Sequence, residues 1–293
     1  MLKVTGGRQA RVFLLVVVVA IVVAPSAAAP ADPSADVAAA TVQFVGDWES
    51  GDLSQWTWTQ CTSAPTPDYG TLNVVTRPVA RGKFAARFDL PASDRNHSCE
   101  VLRRRTLAVG SDDWYGLEVR LPMNWQSPSR AGWGLVIAQF NFQGIWGAPV
   151  SLVATAGTVN LVLQSGLCND VNSPRPGCAF SSGTAGNVSS LVVVPQPIAR
   201  DRWHQLIVHV KWASDSSGLI EAWHRLRGST KWIPRVRRNG WPTVQWSAQR
   251  PPTYQGTVDK IGAYRGKAAF PLSVWHDTFV VGASFGAVAA KLR

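Results

Sequence analysis

GLVIAQFNF, residues 134–142, is the stretch on which the fold turns. Val136, Ala138, Phe140 and Phe142 fall on one side of it and Gln139, Asn141 and Gln143 on the other, the period of two that belongs to a β-strand. A row of carboxamides on so apolar a strand must be hydrogen-bonded, either by neighbouring side chains or by a ligand in a wet groove. Working outward, β-rich runs punctuated by Gly, Pro, Asn and Ser recur at 83–90, 98–107, 114–121, 148–155, 158–164, 203–212, 218–226, 258–265 and 273–282. No stretch has the period of an amphipathic helix. Ala156-Gly157 and Ser214 to Gly218 read as hairpin turns, and the Gly/Ser/Asn/Pro-rich loop 165–190 is long enough to border a ligand site. So many short strands without a linker or a repeat predict a single all-β domain, a β-sandwich, over residues 44–285, with a short tail at 286–293.

Composition supports this. Of the 293 residues, 46% are hydrophobic and 16% charged, and 14 are Trp against 2 Met, which excludes disorder, coiled coils and long solvated helical arrays. Residues 1–29 read as a secretory signal: Lys3, Arg8 and Arg11, then an apolar run from Val12 to Ala24, then the small-residue exit Pro25 to Ala29. Residues 30–43 read as a flexible linker. Elsewhere no apolar run approaches the ~20 residues needed to span a bilayer, so the expected product is secreted, with no membrane contact once the signal is cleaved. In that oxidising setting Cys61, Cys99, Cys168 and Cys178 are expected to be disulfide-bonded; three pairings are open, and Cys61–Cys99 with Cys168–Cys178 is favoured because the second pair brackets a loop. No CxxC pair or spaced His accompanies them, which argues against zinc.

The formal charge of +11 is concentrated in one stretch: residues 200–267 hold 13 Lys/Arg against 4 Asp/Glu, whereas 31–199 hold 11 against 13. Such a stretch suits a polyanion, and for an exported chain an acidic polysaccharide rather than nucleic acid. The strands supply candidate groups. Lys260, Gly262 and Tyr264 share a face with Arg265 opposite, and strict alternation over 97–105 puts His97, Cys99, Val101, Arg103 and Arg105 together. Amides, a phenol, an imidazole and guanidiniums on strands of one sheet would make a groove for an anionic sugar chain.

At this point the chain resembles the bacterial polysaccharide lyases with a concanavalin A-like jelly roll, of the heparin lyase I and glucuronan lyase type and more distantly the jelly-roll alginate lyases. The resemblance rests on FVGDWESGDLSQW (44–56), HSCEVLRRR (97–105), IAQFN (137–141), DRWHQLIVHVKW (201–212), DKIGAYRG (259–266) and WHDTFVVG (275–282). It implies β-elimination on a uronic-acid polysaccharide. The proton next to an ionised carboxylate is not acidic, so preorganised donors must stabilise the enolate-like dianion that forms. The resemblance assigns this to Gln139 and Asn141, where alginate lyases carry His at the second position. It makes Tyr264 the acid. His97, or Tyr264 itself, is the base. Arg103, Arg105, Gln143, Lys260 and Arg265 would bind substrate carboxylate or sulfate. Folds of this kind often hold a structural calcium ion, for which Glu49 and Asp277 have suitable oxygens; no organic cofactor is implied. His204, His209 and His224 read as structural or surface residues. The expected protein is a monomer.

Two other classes share these features. A lectin-like module would keep the groove and bind without cleaving. A glycoside hydrolase needs two carboxylates roughly 5–10 Å apart, and the strands 134–142 and 258–266 offer only Asp259. No Ser/His/Asp nucleophile motif, phosphate loop or dinucleotide fingerprint is present.

Overall fold

The computed structural model describes residues 41–62, 64, 66, 68–128, 134–141, 148–167, 187–246 and 257–293, with side chains left aside at Asn141, Leu167, Asn187, Val188 and Thr257. In chain order the elements are β1 (Val42–Gly46), β2 (Trp58–Thr59), β3 (Thr71–Val75), β4 (Ala85–Leu90), β5 (His97–Arg105), β6 (Asp112–Arg120), β7 (Leu135–Asn141) and β8 (Val150–Ala154). They continue with β9 (Val159–Leu167), β10 (Asn187–Val194), β11 (Trp203–Lys211), β12 (Leu219–Leu226), β13 (Ile233–Asn239), β14 (Gln245–Trp246), β15 (Thr257–Arg265), β16 (Leu272–Gly282) and the helix α1 (Phe285–Lys291).

The strands form two sheets packed face to face. The front sheet runs β10-β9-β8-β7-β15-β5-β2, with β14 beside β9; the back sheet runs β13-β12-β11-β6-β16-β4-β3, with β1 beside β16. All pairings between these strands are antiparallel except β14 with β9. Alternation decides which face is dry. On β6, Tyr115, Leu117 and Val119 point into the sandwich; on β9, Leu161 and Leu163 do; on β11, Leu206, Val208 and Val210. These rows meet as one apolar core that also takes in Trp48, Trp56 and Trp212, the expected outcome when two half-apolar sheets have only each other to hide against.

Sequence and structure differ at the edges. The chain enters the back sheet at Val42, inside the stretch expected to be linker, and residues 1–40 lie outside the described residues. The expected C-terminal tail is instead α1. Ser284 caps it by accepting from the Ala287 N–H at 3.2 Å, and Val288 and Leu292 bury themselves on the outer face of the back sheet with Ile207, Trp223 and Val280. Gly116 permits this approach, since a Cβ there would run into Val288 and Leu292. The last carbonyls are satisfied from the sheet: Arg225 donates to Leu292 O at 3.1 Å, Gln205 donates to the same oxygen and Arg81 to that of Lys291. Strands β3, β10 and β13 also escaped the pattern reading. IPRVRRN is an edge strand whose arginines face water, and edges carry charge where interior strands carry Val and Ile. Both expected hairpin turns are present, between β8 and β9 and between β11 and β12.

Candidate active site

Directly opposed residues on neighbouring strands share a face, so the registers show which side chains assemble on the outer face of the front sheet. One row crosses the strands as Leu102, Lys260, Gln139, Ser151 and Val162; a second as Ser98, Tyr264, Val136, Val153 and Asn160. Between them Glu100 stands opposite Gly262. Gln139, Lys260 and Tyr264 therefore lie on one surface, with Gln139 and Lys260 as cross-strand neighbours. The backbone of Asn141 pairs with Val258 one step further along the same two strands. Gln143 lies outside the described residues.

A bulge makes this possible. The register between β15 and β7 shifts between Ile261 and Tyr264, and Gly262 there has φ 146°, a backbone state that side chains disfavour. A Cβ at Gly262 would also meet the Cys99 carbonyl oxygen and the Glu100 Cα. From the back sheet, fully buried His276 donates its Nε2–H to the Gly262 carbonyl at 3.0 Å, and burial pulls that imidazole down to about 4, so it sits there neutral at neutral pH.

Glu100 is the residue that sequence reading passed over. It is 3% exposed, and its Oε2 lies 3.8 Å from Lys260 Nζ. Burial pushes its carboxyl up to about 7, with the Lys260 charge opposing. Tyr264 is held above the ordinary phenol value, first by burial and then by the nearby Glu100 charge. The sequence carries a signal for Glu100: within HSCEVLRRR it alternates with Ser98 and Leu102 on the face opposite Cys99 and Val101.

Those basic residues are corrected by the structure. His97, Cys99, Val101, Arg103 and Arg105 do share a face, but it is the inner one: Cys99 and Val101 belong to the core, and Cys99 is disulfide-bonded to Cys61. His97 is 2% exposed and opposite Arg265 across β5 and β15, on the other side of the sheet from Tyr264. Arg105 lies between the sheets, with Nη1 2.7 Å from Asp113, Nε 2.8 Å from Asp259, and a bond donated to the Tyr115 hydroxyl. Trp212 donates to the second Asp113 oxygen at 2.9 Å. Although burial opposes it, the charges of Tyr115, Asp259 and Asp113 raise Arg105 above its ordinary value. The Arg103 guanidinium lies over the Phe44 ring at 4.4 Å. Arg265 is fully buried and donates from its two terminal nitrogens to the Gly266 and Pro91 carbonyls. None of these three arginines reaches the outer face: alternation from core Cys99 and Val101 turns Arg103 and Arg105 inward on β5, and alternation from core Ile261 and Ala263 turns Arg265 inward on β15.

The basic stretch disperses for a similar reason. Arg237 pairs with Glu221 at 2.8 Å, Arg227 with Glu118 at 2.8 Å and Arg238 stacks on Trp241, all on the back sheet or its edge. Of its described basic residues, the first of the two rows brings only Lys260 beside Gln139. His204 and His224 meet ring to ring at 3.0 Å, and His209 lies between Asp112 and Glu221.

Glu49 and Asp277 converge on one loop, residues 80–84, as hydrogen-bond acceptors. Glu49 takes the N–H groups of Lys83 and Phe84 at 3.0 and 3.1 Å; Asp277 takes those of Ala80 and Arg81 at 2.6 and 3.2 Å. N–H donors aimed at a carboxylate are the reverse of the oxygen shell that calcium requires, and among the described residues no group of three or more His, Cys, Asp or Glu is placed to hold a metal. Both carboxylates are thus held by N–H groups of the one loop. Cys168 and Cys178 lie outside the described residues.

A family model described as polysaccharide lyase matches residues 48–280. No curated protein matches the sequence. Among solved structures, an endo-β-1,4-glucuronan lyase from the fungus Trichoderma reesei superposes with a TM-score of 0.61 at 20% identity, over 85% of this chain and 98% of that one. A marine alginate lyase from Aplysia kurodai gives 0.51 at 11% identity, over 82% and 97%. At these identities the likeness is one of fold, the jelly-roll sandwich.

Proposed function

Since the chain belongs to the polysaccharide lyase family, we propose that it cleaves a uronic-acid polysaccharide by β-elimination on the outer face of the front sheet. The observation that carries the reading is the placement of Gln139, Lys260 and Tyr264 on that one face. The two superposed lyases, named for glucuronan and alginate, support a uronan as the substrate class. Export, expected from residues 1–29, belongs to the same reading, since such polymers lie outside cells.

In this reading the Gln139 amide and the Lys260 ammonium hold the uronate carboxylate and take up the charge that builds on it when the C5 proton leaves; Asn141, whose backbone pairs with Val258 on the same two strands, is the second amide that the family resemblance gives to this task. With His97 turned to the core, Tyr264 serves as both base and acid. Its phenolate takes the proton from C5, the electron pair becomes the C4=C5 double bond, the C4–O bond breaks, and the phenol returns the proton to the leaving oxygen. Atoms and charge balance without a cofactor. The raised phenol value makes the phenolate scarce at neutral pH, so kcat/KM should climb on the alkaline side.

The test is a panel of glucuronan, alginate, heparin, heparan sulfate and hyaluronan, followed by ultraviolet absorbance of the new C4=C5 bond. At least one should yield unsaturated ends. Gln139→Ala should cost the wild-type reaction about 10²–10³ in kcat, by analogy with the loss of one oxyanion donor, with little change in binding. Binding of a uronan without unsaturated ends would make the chain a lectin-like module.

Glu100 supplies a further expected result. Its charge disfavours the Tyr264 phenolate, so Glu100→Gln should move the alkaline limb of the pH–rate profile toward neutral and abolish any ionisation near pH 7. The titrating or charged groups facing Glu100 are Lys260 and Tyr264 of β15; β2, on its other side, brings only Trp58 and Thr59. A profile unchanged in Glu100→Gln would detach this carboxylate from the chemistry.

A further inference from the structure

Among the described residues only two aromatic side chains are exposed, Trp58 at 52% and Tyr69 at 41%. The remaining described Trp, Tyr and Phe are buried or partly buried. Register places both exposed rings on the face that carries the candidate site. Trp58 pairs with Leu102, which extends the row of Lys260 and Gln139 by one strand. Tyr69 bridges to Ser98, fixed by Gly70 N–H to Ser98 O at 2.9 Å and Ser98 N–H to Asp68 O at 3.2 Å, and so extends the row of Tyr264. Each ring stands two strands from its row's functional residue, about 10 Å away, and the rows are about 13 Å apart along β5. The Cys61–Cys99 disulfide ties the segment between the two rings to β5.

Aromatic surface left in water is unfavourable, and when its instances among the described residues both border one polar site a ligand is the economical explanation. Pyranose rings present flat C–H faces that stack on aromatic rings, and a tryptophan at a wet edge combines a large apolar area with few rotatable bonds. We propose that Trp58 and Tyr69 are platforms for sugar rings of the polysaccharide on the β2 side of the bond being cleaved. This rests on the lyase reading and adds the side from which the chain is gripped: Lys260 and Gln139 hold the charged ring, and the two aromatics hold neutral faces of its neighbours.

The experiment uses the full chain with whichever of glucuronan, alginate or heparin the wild type cleaves. Trp58→Ala and Tyr69→Ala should each raise KM about 3- to 10-fold with kcat little changed, the pattern of lost uniform binding. The double variant should raise it about 10- to 100-fold, Trp58→Phe should restore most of the loss, and thermal melting should not move. In parallel, glucuronan, alginate and heparin are titrated against intrinsic tryptophan fluorescence in Tyr264→Phe, with and without Trp58→Ala; the Trp58-dependent part of the signal should vanish. Unchanged KM and unchanged titration in both alanine variants would overturn the platforms while leaving the lyase reading intact. No cleavage of any polymer, with Trp58-dependent binding retained, would sink the lyase reading and keep the platforms. Self-association lost in Trp58→Ala with KM unchanged would make the patch a protein contact and overturn the proposal.

Discussion

Tyr264→Phe should lose turnover by about 10²–10⁴-fold, the usual cost of deleting a positioned acid–base group, while binding of the uncleaved polymer and thermal melting stay close to wild type. The substitution removes one oxygen from a partly buried side chain and leaves the ring to pack against its neighbours. The pH profile adds a signature that a packing defect would not give. Burial and the Glu100 charge hold the phenol above its ordinary value, so wild-type kcat/KM should rise through the alkaline range as phenolate forms, and Tyr264→Phe should be flat there. Single-turnover absorbance across pH with both proteins is the measurement. Residual activity with the wild-type profile would assign base and acid to another group.

Arg105→Met should destabilise the protein by about 3–5 kcal/mol, the cost of stranding buried charges when one member of a buried network is removed. Asp113 and Asp259 are 2% and 1% exposed and both face this guanidinium at 2.7 and 2.8 Å. Methionine keeps much of the volume, so the loss reads charge rather than a cavity. The pH dependence follows in sign. Burial already holds the Asp259 carboxyl above its ordinary value against the opposing Arg105 charge, and without Arg105 it is held higher still; a carboxyl raised in the folded state favours the fold at low pH and loses that contribution as pH rises. The deficit in urea unfolding at pH 7 should therefore shrink toward pH 4. Equal deficits at both values would mean that packing dominates. Asp259 adjoins Lys260 on β15, so the same variant should disturb the site through the strand that carries Lys260 and Tyr264.

These two predictions lie on opposite faces of the same sheet, and the difference between them is what alternation conveys and what it omits. Period-two patterning is a local property, and the sequence by itself determined that 134–142, 203–212 and 258–265 hold strands, that the chain is a two-layer β-sandwich, that Gln139 stands on the face away from Phe140, and that Lys260 and Tyr264 share a face; it also set Val136 with Phe140, whereas the register shift between Val136 and Ala138 turns Val136 outward beside Tyr264. Cross-strand pairing is not local. Only the tertiary structure decided that His97, Arg103 and Arg105 point inward. Their strand is pinned by Cys99 and Val101 in the core, and a face rich in arginine looks solvent-exposed until Asp113 and Asp259 arrive from β6 and β15 to neutralise it. The same holds for Glu100, placed between Lys260 and Tyr264 by the register of β5 on β15, and for α1, too short to show a helical period and stabilised by the sheet it covers. Charge counts along the chain fall short for the matching reason: Lys/Arg close in sequence become neighbours in space only if they share a face, and here Arg225, Arg235, Arg237 and Arg238 lie on β12 and β13 of the back sheet while Lys260 and Arg265 lie on opposite faces of β15 in the front sheet.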